Sequence, residues 1–133
     1  MKRGIDTNVL LRSILQDDPV QSRQARAFVL SLSHADPGYV SVAVMLELHW
    51  VLATRYRIPR KVIGSIFTRL FSASTMEFGE LDVLVEALHR SIASNADFAD
   101  AVIAGLARRA GCDVTVTFDR KSASRLPEME LLA

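Results

Sequence analysis

The chain has 133 residues, half of them hydrophobic, which is enough to build one compact core of ordinary domain size. Its 16 Lys and Arg nearly balance 15 Asp and Glu, leaving a formal net charge of +1; that excludes a broad, sequence-blind polyanion binder and confines any nucleic-acid contact to a local patch. Cys112 is the only cysteine, so an internal disulfide and a thiolate metal cluster are both excluded, as suits a reducing compartment.

In chain order, residues 2–5 are expected to form a first strand, although Gly4 weakens its β propensity. Asp18 before Pro19 is a helix start, and Ala25, Phe28, Val29 and Leu32 repeat on one face, predicting a helix over 19–32. Residues 34–38 have loop chemistry and 39–41 suit a short strand. Residues 42–55 are long and apolar enough to predict a buried helix. Pro59 opens another helix whose inner side is Val62, Ile63, Ile66, Phe67 and Leu70. A further one after Gly79 carries Leu81, Leu84, Val85, Leu88 and Ile92. Ala99, Val102, Ile103, Leu106 and Ala110 repeat the pattern until Gly111, a left-handed cap. Residues 114–118 are β-branched and aromatic enough for a buried strand, and 131–132 suit another.

Strands separated by helices imply an α/β fold with a short parallel sheet flanked by helices on both faces, here expected as a single domain over residues 1–133. Asp6, Asn8 and Arg12 break up the first twelve positions, so no secretory signal is expected there. The longest apolar run, residues 40–46, falls far short of the roughly 20 residues that span a bilayer, and a cytoplasmic location without membrane attachment is expected.

A few acidic residues do not fit a plain surface. Glu47 has Ala43, Val44, Trp50, Val51 and Thr54 as its nearest neighbours on a helix, so its carboxylate points from a mostly apolar face. A buried carboxylate protonates, pairs with a base or binds a metal, and a salt bridge to a distant Arg is the competing explanation. Asp6 follows the first strand in Gly4-Ile5-Asp6-Thr7-Asn8, and Asp119 follows the strand over 114–118; ligand crevices of open α/β sheets lie at such carboxyl ends, although Asp at a turn or cap looks the same. In Asn95-Ala96-Asp97-Phe98-Ala99-Asp100 the two aspartates share one helical face, Asp97 being placed to cap the helix and Asp100 to sit in its first turn.

Asp6-Thr7-Asn8, Glu47 within Val44-Met45-Leu46-Glu47-Leu48, Ala96-Asp97-Phe98-Ala99-Asp100-Ala101 and Thr117-Phe118-Asp119-Arg120 together resemble the PIN-domain family, and more narrowly a VapC-type toxin ribonuclease of a toxin-antitoxin system. The resemblance runs through Arg108-Arg109-Ala110-Gly111-Cys112 and covers nearly the whole chain. It implies a PIN-like fold and a Mg²⁺- or Mn²⁺-dependent endoribonuclease with Asp6, Glu47, Asp100 and Asp119 as catalytic and metal-binding positions and Asp97 as a frequent fifth carboxylate. It also implies an RNA substrate, a homodimer and a cognate antitoxin that inserts a segment into the cleft.

Converging carboxylates repel one another unless a hard divalent ion with oxygen ligands neutralises them. Such an ion activates water, a second stabilises the leaving 3′ oxygen, and cleavage leaves a 5′ phosphate. Thr7, Asn8 and Thr117 are candidates to orient ligands, with turn or capping roles open for each, and Arg12, Arg120 and Lys121 are the nearest candidates for phosphate contacts. His34, His49 and His89 show no zinc spacing. His49, Trp50 and Phe98 are expected to pack inside rather than to meet a base. An aspartyl-nucleophile phosphohydrolase would place a second acid two residues after Asp6, where Asn8 stands. A catalytically silent RNA- or protein-binding module, with the acids as caps, is the remaining alternative.

Overall fold

A computed structural model describes residues 1–132. The elements run β1 (Arg3–Gly4), α1 (Thr7–Ile14), α2 (Pro19–Ser31), β2 (Gly38–Val40), α3 (Val42–Thr54), α4 (Arg60–Phe71), β3 (Met76–Phe78), α5 (Leu81–Ala93), α6 (Phe98–Arg109), β4 (Thr115–Thr117), α7 (Arg120–Arg125) and β5 (Met129–Leu131). All strand pairs are parallel: β1-β2-β3 form one sheet and β4-β5 a second. The α/β architecture expected from alternating strands and helices is therefore present. No helix among the described residues is long and apolar enough to cross a membrane.

Register decides where the strand ends fall. Arg3 lies opposite Gly38 and Gly4 opposite Tyr39, and the Ile5 amide donates to the Tyr39 carbonyl at 2.8 Å, so Asp6 is the first residue past the ladder. Thr117 pairs with Leu131, and the Leu132 amide donates back to the Thr117 carbonyl at 2.7 Å, which puts Asp119 just beyond the carboxyl end of β4. Helix starts also follow their sequence signals. Asp18 accepts from the Gln21 amide at 3.0 Å ahead of Pro19, Ser41 accepts from the Val44 amide at 3.3 Å, and Gly111 takes the left-handed conformation with φ +94°. Three elements were not foreseen, namely α1, β3 and α7; each is short, and α1 begins inside a segment that reads equally well as a turn.

Helix α3 is the centre of the core. Met45, Leu48 and Leu52 lie on one side of it at 0% exposure and join Val40, Ile63, Phe67, Leu84, Phe98 and Val102 in one continuous apolar cluster. Phe67 meets Phe98 edge-on at 5.5 Å between centroids, and His49 stacks on Phe98 at 4.5 Å with the rings 12° from parallel. Helices α5 and α6 approach so closely at Gly105 that a Cβ there would stand 2.8 Å from Val83 Cγ1.

Four burial expectations are corrected, the first being Val62, which is 46% exposed rather than on the inner side of α4. Trp50 is 58% exposed rather than buried, because the inward stripe of α3 is already filled by Met45, Leu48 and Leu52. Glu47 is likewise exposed and not sunk in an apolar face, and α3 as a whole is buried on one side only. The strand β4 is where its propensity places it but is not buried: Val114, Val116 and Phe118 alternate on an open face, with Phe118 80% exposed.

His49 does pack between helices as its position suggests. Its Nε2 is enclosed without a hydrogen-bond partner among the described residues, and burial pushes its pKa down from the usual 6.5 to about 4, the Asp97 carboxylate pulling it back up and Arg60 pushing it down further. An unfolded chain thus takes up this proton before the folded one does. Stability from His49 is complete above about pH 6.5 and is lost as pH falls toward about 4, at up to about 1.4 kcal/mol per unit of pKa difference. Melting temperatures measured across pH 7 to 4 should fall more steeply for the native chain than for His49→Phe, and parallel curves would refute this assignment.

Candidate active site

The first part of the site is built where β1 turns into α1. Asp6 is the N-cap of α1, with extended backbone at φ −76° and ψ 156°; its carbonyl accepts the Val9 and Leu10 amides, while its side chain makes no capping bond and stays exposed. Thr7 next to it is buried at 4% exposure, and its Oγ1 donates to Glu47 Oε1. This bond crosses from α1 to α3 and orients the Glu47 carboxylate, which would otherwise swing freely on an exposed helix surface.

The second part is built where α6 and α7 begin. Asp97 caps α6 by accepting from the Asp100 amide at 3.0 Å, as its place in the sequence foretells. The loop before it is pinned from two sides. Arg60 Nη1 donates to the carbonyls of Ser91 at 3.0 Å and Ala96 at 2.7 Å, while Arg125 Nη1 donates to that of Asn95 at 2.9 Å. Asn95 itself is held in the left-handed region with φ +58°. Asp119 caps α7 by accepting from the Ser122 amide at 3.0 Å, and its own amide donates to Thr117 Oγ1 at 3.0 Å.

Ser122 joins these two helix starts. It is buried at 4% exposure; its amide bonds Asp119, and its hydroxyl donates to Asp100 Oδ2. One small side chain thus brings the half-buried Asp100 of α6 and the exposed Asp119 at the end of β4 onto a shared partner. Sequence reasoning passed over Ser122 altogether. The one available signal was its place three residues after Asp119, where a helix capped by Asp119 presents an amide.

The five acidic positions therefore form two arrangements: Asp6 beside the Thr7–Glu47 pair, and Asp100 and Asp119 on Ser122 with Asp97 joined through the Asp100 amide. The elements that carry them pack in sequence, α1 on α3, α3 on α6 and α7 on α6 through Ser122. Among the described residues no three Asp, Glu, His or Cys side chains stand close enough together to hold a metal ion. Of the expected cations, Arg12 is turned to Asp17 at 2.9 Å and Gln21 at 3.0 Å. Arg120 and Lys121 are exposed in the first turn of α7, and neither is ion-paired among the described residues.

Every group in this set offers hard carboxylate or hydroxyl oxygen, the donor type that divalent Mg²⁺ or Mn²⁺ accepts, and the exposure of Asp6, Glu47 and Asp119 leaves room for coordinated water. No curated protein gives a significant match to the chain. A family model described as PIN domain matches residues 4–121, a span that begins two residues before Asp6 and closes two residues after Asp119. With all the acidic positions inside that match, and a parallel α/β fold to carry them, the chain belongs to the PIN-domain family.

Proposed function

We propose that this chain is a divalent-metal-dependent endoribonuclease and the toxin of a type II toxin-antitoxin pair. Nuclease activity in general is what membership of the PIN-domain family suggests. The observation that carries the reading is that Ser122 hydrogen-bonds both Asp100 and Asp119, gathering two of the acids on one partner at a strand's carboxyl end, where ligand crevices of α/β sheets lie.

In this reading Asp6, Glu47, Asp100 and Asp119 hold Mg²⁺, or Mn²⁺ in its place, and Asp97 contributes its second oxygen or a water contact from the cap. The donor chemistry fits, since Mg²⁺ keeps several waters and needs no closed cage of protein oxygens. The ion, when bound, supplies positive charge against the phosphodiester oxygens and acidifies water in its shell. The protein's own part is orientation. Thr7 and Ser122 each fix one carboxylate by a hydroxyl donor, and the helix starts at Asp97 and Asp119 hold two more in place. In-line attack by water with departure of the 3′ oxygen leaves a 5′ phosphate, and Arg120 and Lys121 steady the RNA backbone. The toxin role brings with it a homodimer and an antitoxin that blocks the cleft, both taken from the family resemblance.

A catalytically silent binding module is the second reading, and one observation favours it: Asp97 and Asp119 both serve as caps, and no closed cluster of three ligands is present among the described residues.

Replacing Asp6 by Ala or Asp119 by Asn should abolish Mg²⁺-dependent RNA cleavage while leaving the melting temperature nearly unchanged, since Asn keeps the capping acceptor and Asp6 makes no capping bond. Retained cleavage in both variants would return the chain to the silent-module reading. Thr7→Val and Ser122→Ala keep every acid but free Glu47 and Asp100, so cleavage should drop about 10- to 100-fold and metal titration should show weakened binding. For the toxin role, expression of the chain without its neighbouring open reading frame should arrest growth and create new 5′-phosphate ends in cellular RNA, and co-expression should suppress both. Arrest without new ends would point to a binding function.

A further inference from the structure

The exposed stripe of α3 runs through Ala43, Glu47, Trp50 and Thr54, so Trp50 stands one turn beyond a candidate metal-binding carboxylate on the same face. Beside it a groove of about 250 Å³ is lined by Trp50, His49, Ile58, Arg60, Asp97 and Phe98. The groove therefore shares Asp97 with the acidic centre and a helix face with Glu47. Trp50, the chain's only tryptophan, is 58% exposed and so offers an indole face at the edge of this groove.

Resting on the nuclease reading above, we infer that this groove is a nucleobase pocket, in which a base of the RNA strand lying next to the scissile phosphate stacks on the Trp50 indole and meets the edge of the Arg60 guanidinium. The chemistry of the lining selects this occupant. A phosphate would face the Asp97 carboxylate as well as Arg60, so its charge is opposed, whereas a neutral base has a π face for the indole and acceptor edges for the cation. Arg60 is fixed by its Nη1 bonds to the Ser91 and Ala96 carbonyls, which sets the guanidinium at the groove without loss of side-chain freedom on binding. A protein segment is the competing occupant, since Ile58, Ile63 and Phe98 also line the groove, and the dependence of Trp50 emission on protein concentration separates the two. Arg55, Arg57 and Lys61, exposed and without ion pairs among the described residues, flank the groove in sequence and can hold the strand's phosphates while the base stacks.

Because Trp50 is the only tryptophan, its emission reports the groove directly. A short single-stranded oligoribonucleotide, added in EDTA so that no strand is cut, should quench it saturably, and a strand of the same length with abasic sites should bind with little quenching. Followed by anisotropy of a labelled strand, Trp50→Ala should weaken binding about tenfold and Trp50→Phe should restore most of it, with melting temperatures unchanged. In cleavage assays Trp50→Ala should raise KM and leave kcat largely intact. RNA binding without quenching, or equal quenching by the abasic strand, overturns the pocket and leaves the nuclease reading standing. Intact metal-dependent cleavage with no detectable strand binding in EDTA overturns it as well, while loss of both binding and cleavage removes the nuclease reading too. Emission that shifts with protein concentration alone, and not with RNA, assigns Trp50 to a contact between protein chains and overturns the proposal.

Discussion

The rotational setting of α3 is the constraint on which the rest depends. Met45, Leu48 and Leu52 occupy one side of the helix and are sealed completely against Ile63, Phe67, Phe98 and Val102. Fully burying such side chains is worth about 1.5 to 3 kcal/mol each, so the helix cannot turn without surrendering several of them. With that side fixed inward, Glu47 and Trp50 emerge together on the outside. Burying the indole instead would drag the neighbouring carboxylate toward the interior, where an unpaired charge is costly. The core thus chooses, by its own packing, which polar and aromatic groups face the acidic centre.

A second constraint is electrostatic. Three of the acidic positions, Asp6, Asp97 and Asp119, are N-cap residues, and Asp100 lies in the first turn of α6. Amides at a helix start carry partial positive charge and favour a nearby carboxylate by about 0.3 to 1 kcal/mol, which offsets part of the repulsion among the acids. The same caps spend acceptor capacity: the Asp97 Oδ2 and Asp119 Oδ1 are already engaged with backbone amides. A carboxylate accepts at both oxygens and at more than one lone pair on each, so a cap and a ligand are compatible roles for one residue. Capping and coordination need not be opposed explanations here, as they are when each aspartate is considered alone.

Much of this was legible in the sequence, and what was not has identifiable causes. The long helices α3, α4, α5 and α6 announce themselves by apolar periodicity, and Asp18, Asp97 and Gly111 by their chemistry at helix ends. The strand ends that carry Asp6 and Asp119 were found because parallel α/β sheets place ligands there. Residues Met76–Phe78 escaped notice because Met-Glu-Phe has no β-branched residue, unlike the equally short β2 and β4, and Arg120–Arg125 because a six-residue helix shows less than two turns of period. Side-chain exposure was the weakest inference. Trp50 sits in an apolar helical run, but a run that is apolar all round can bury only the stripe its neighbours reach, and composition does not say which stripe that is. Ser122 was invisible for a related reason, since a serine that bonds a carboxylate 22 positions earlier is indistinguishable in sequence from one that faces water.

Charge placement ties these strands of argument together. Many of the arginines are already committed: Arg90 to Glu128 and Glu86, Arg109 to Glu80 and Asp82, Arg12 to Asp17, and Arg60 and Arg125 to backbone carbonyls around the Asp97 loop. Arg125 shapes the acidic centre from behind, while Arg60, held by carbonyls of the same loop, also lines the groove beside Trp50. Arg55, Arg57, Lys61, Arg120 and Lys121 are by contrast exposed and without an ion pair among the described residues, so a polynucleotide approaching this chain meets local positive charge as well as the exposed carboxylates. Stacking is the short-range contact that tolerates any base, costs no charge and is little screened by salt. The exposed indole stands one turn along α3 from Glu47, so the packing that expels Trp50 from the core adds a stacking face to the local positive charge.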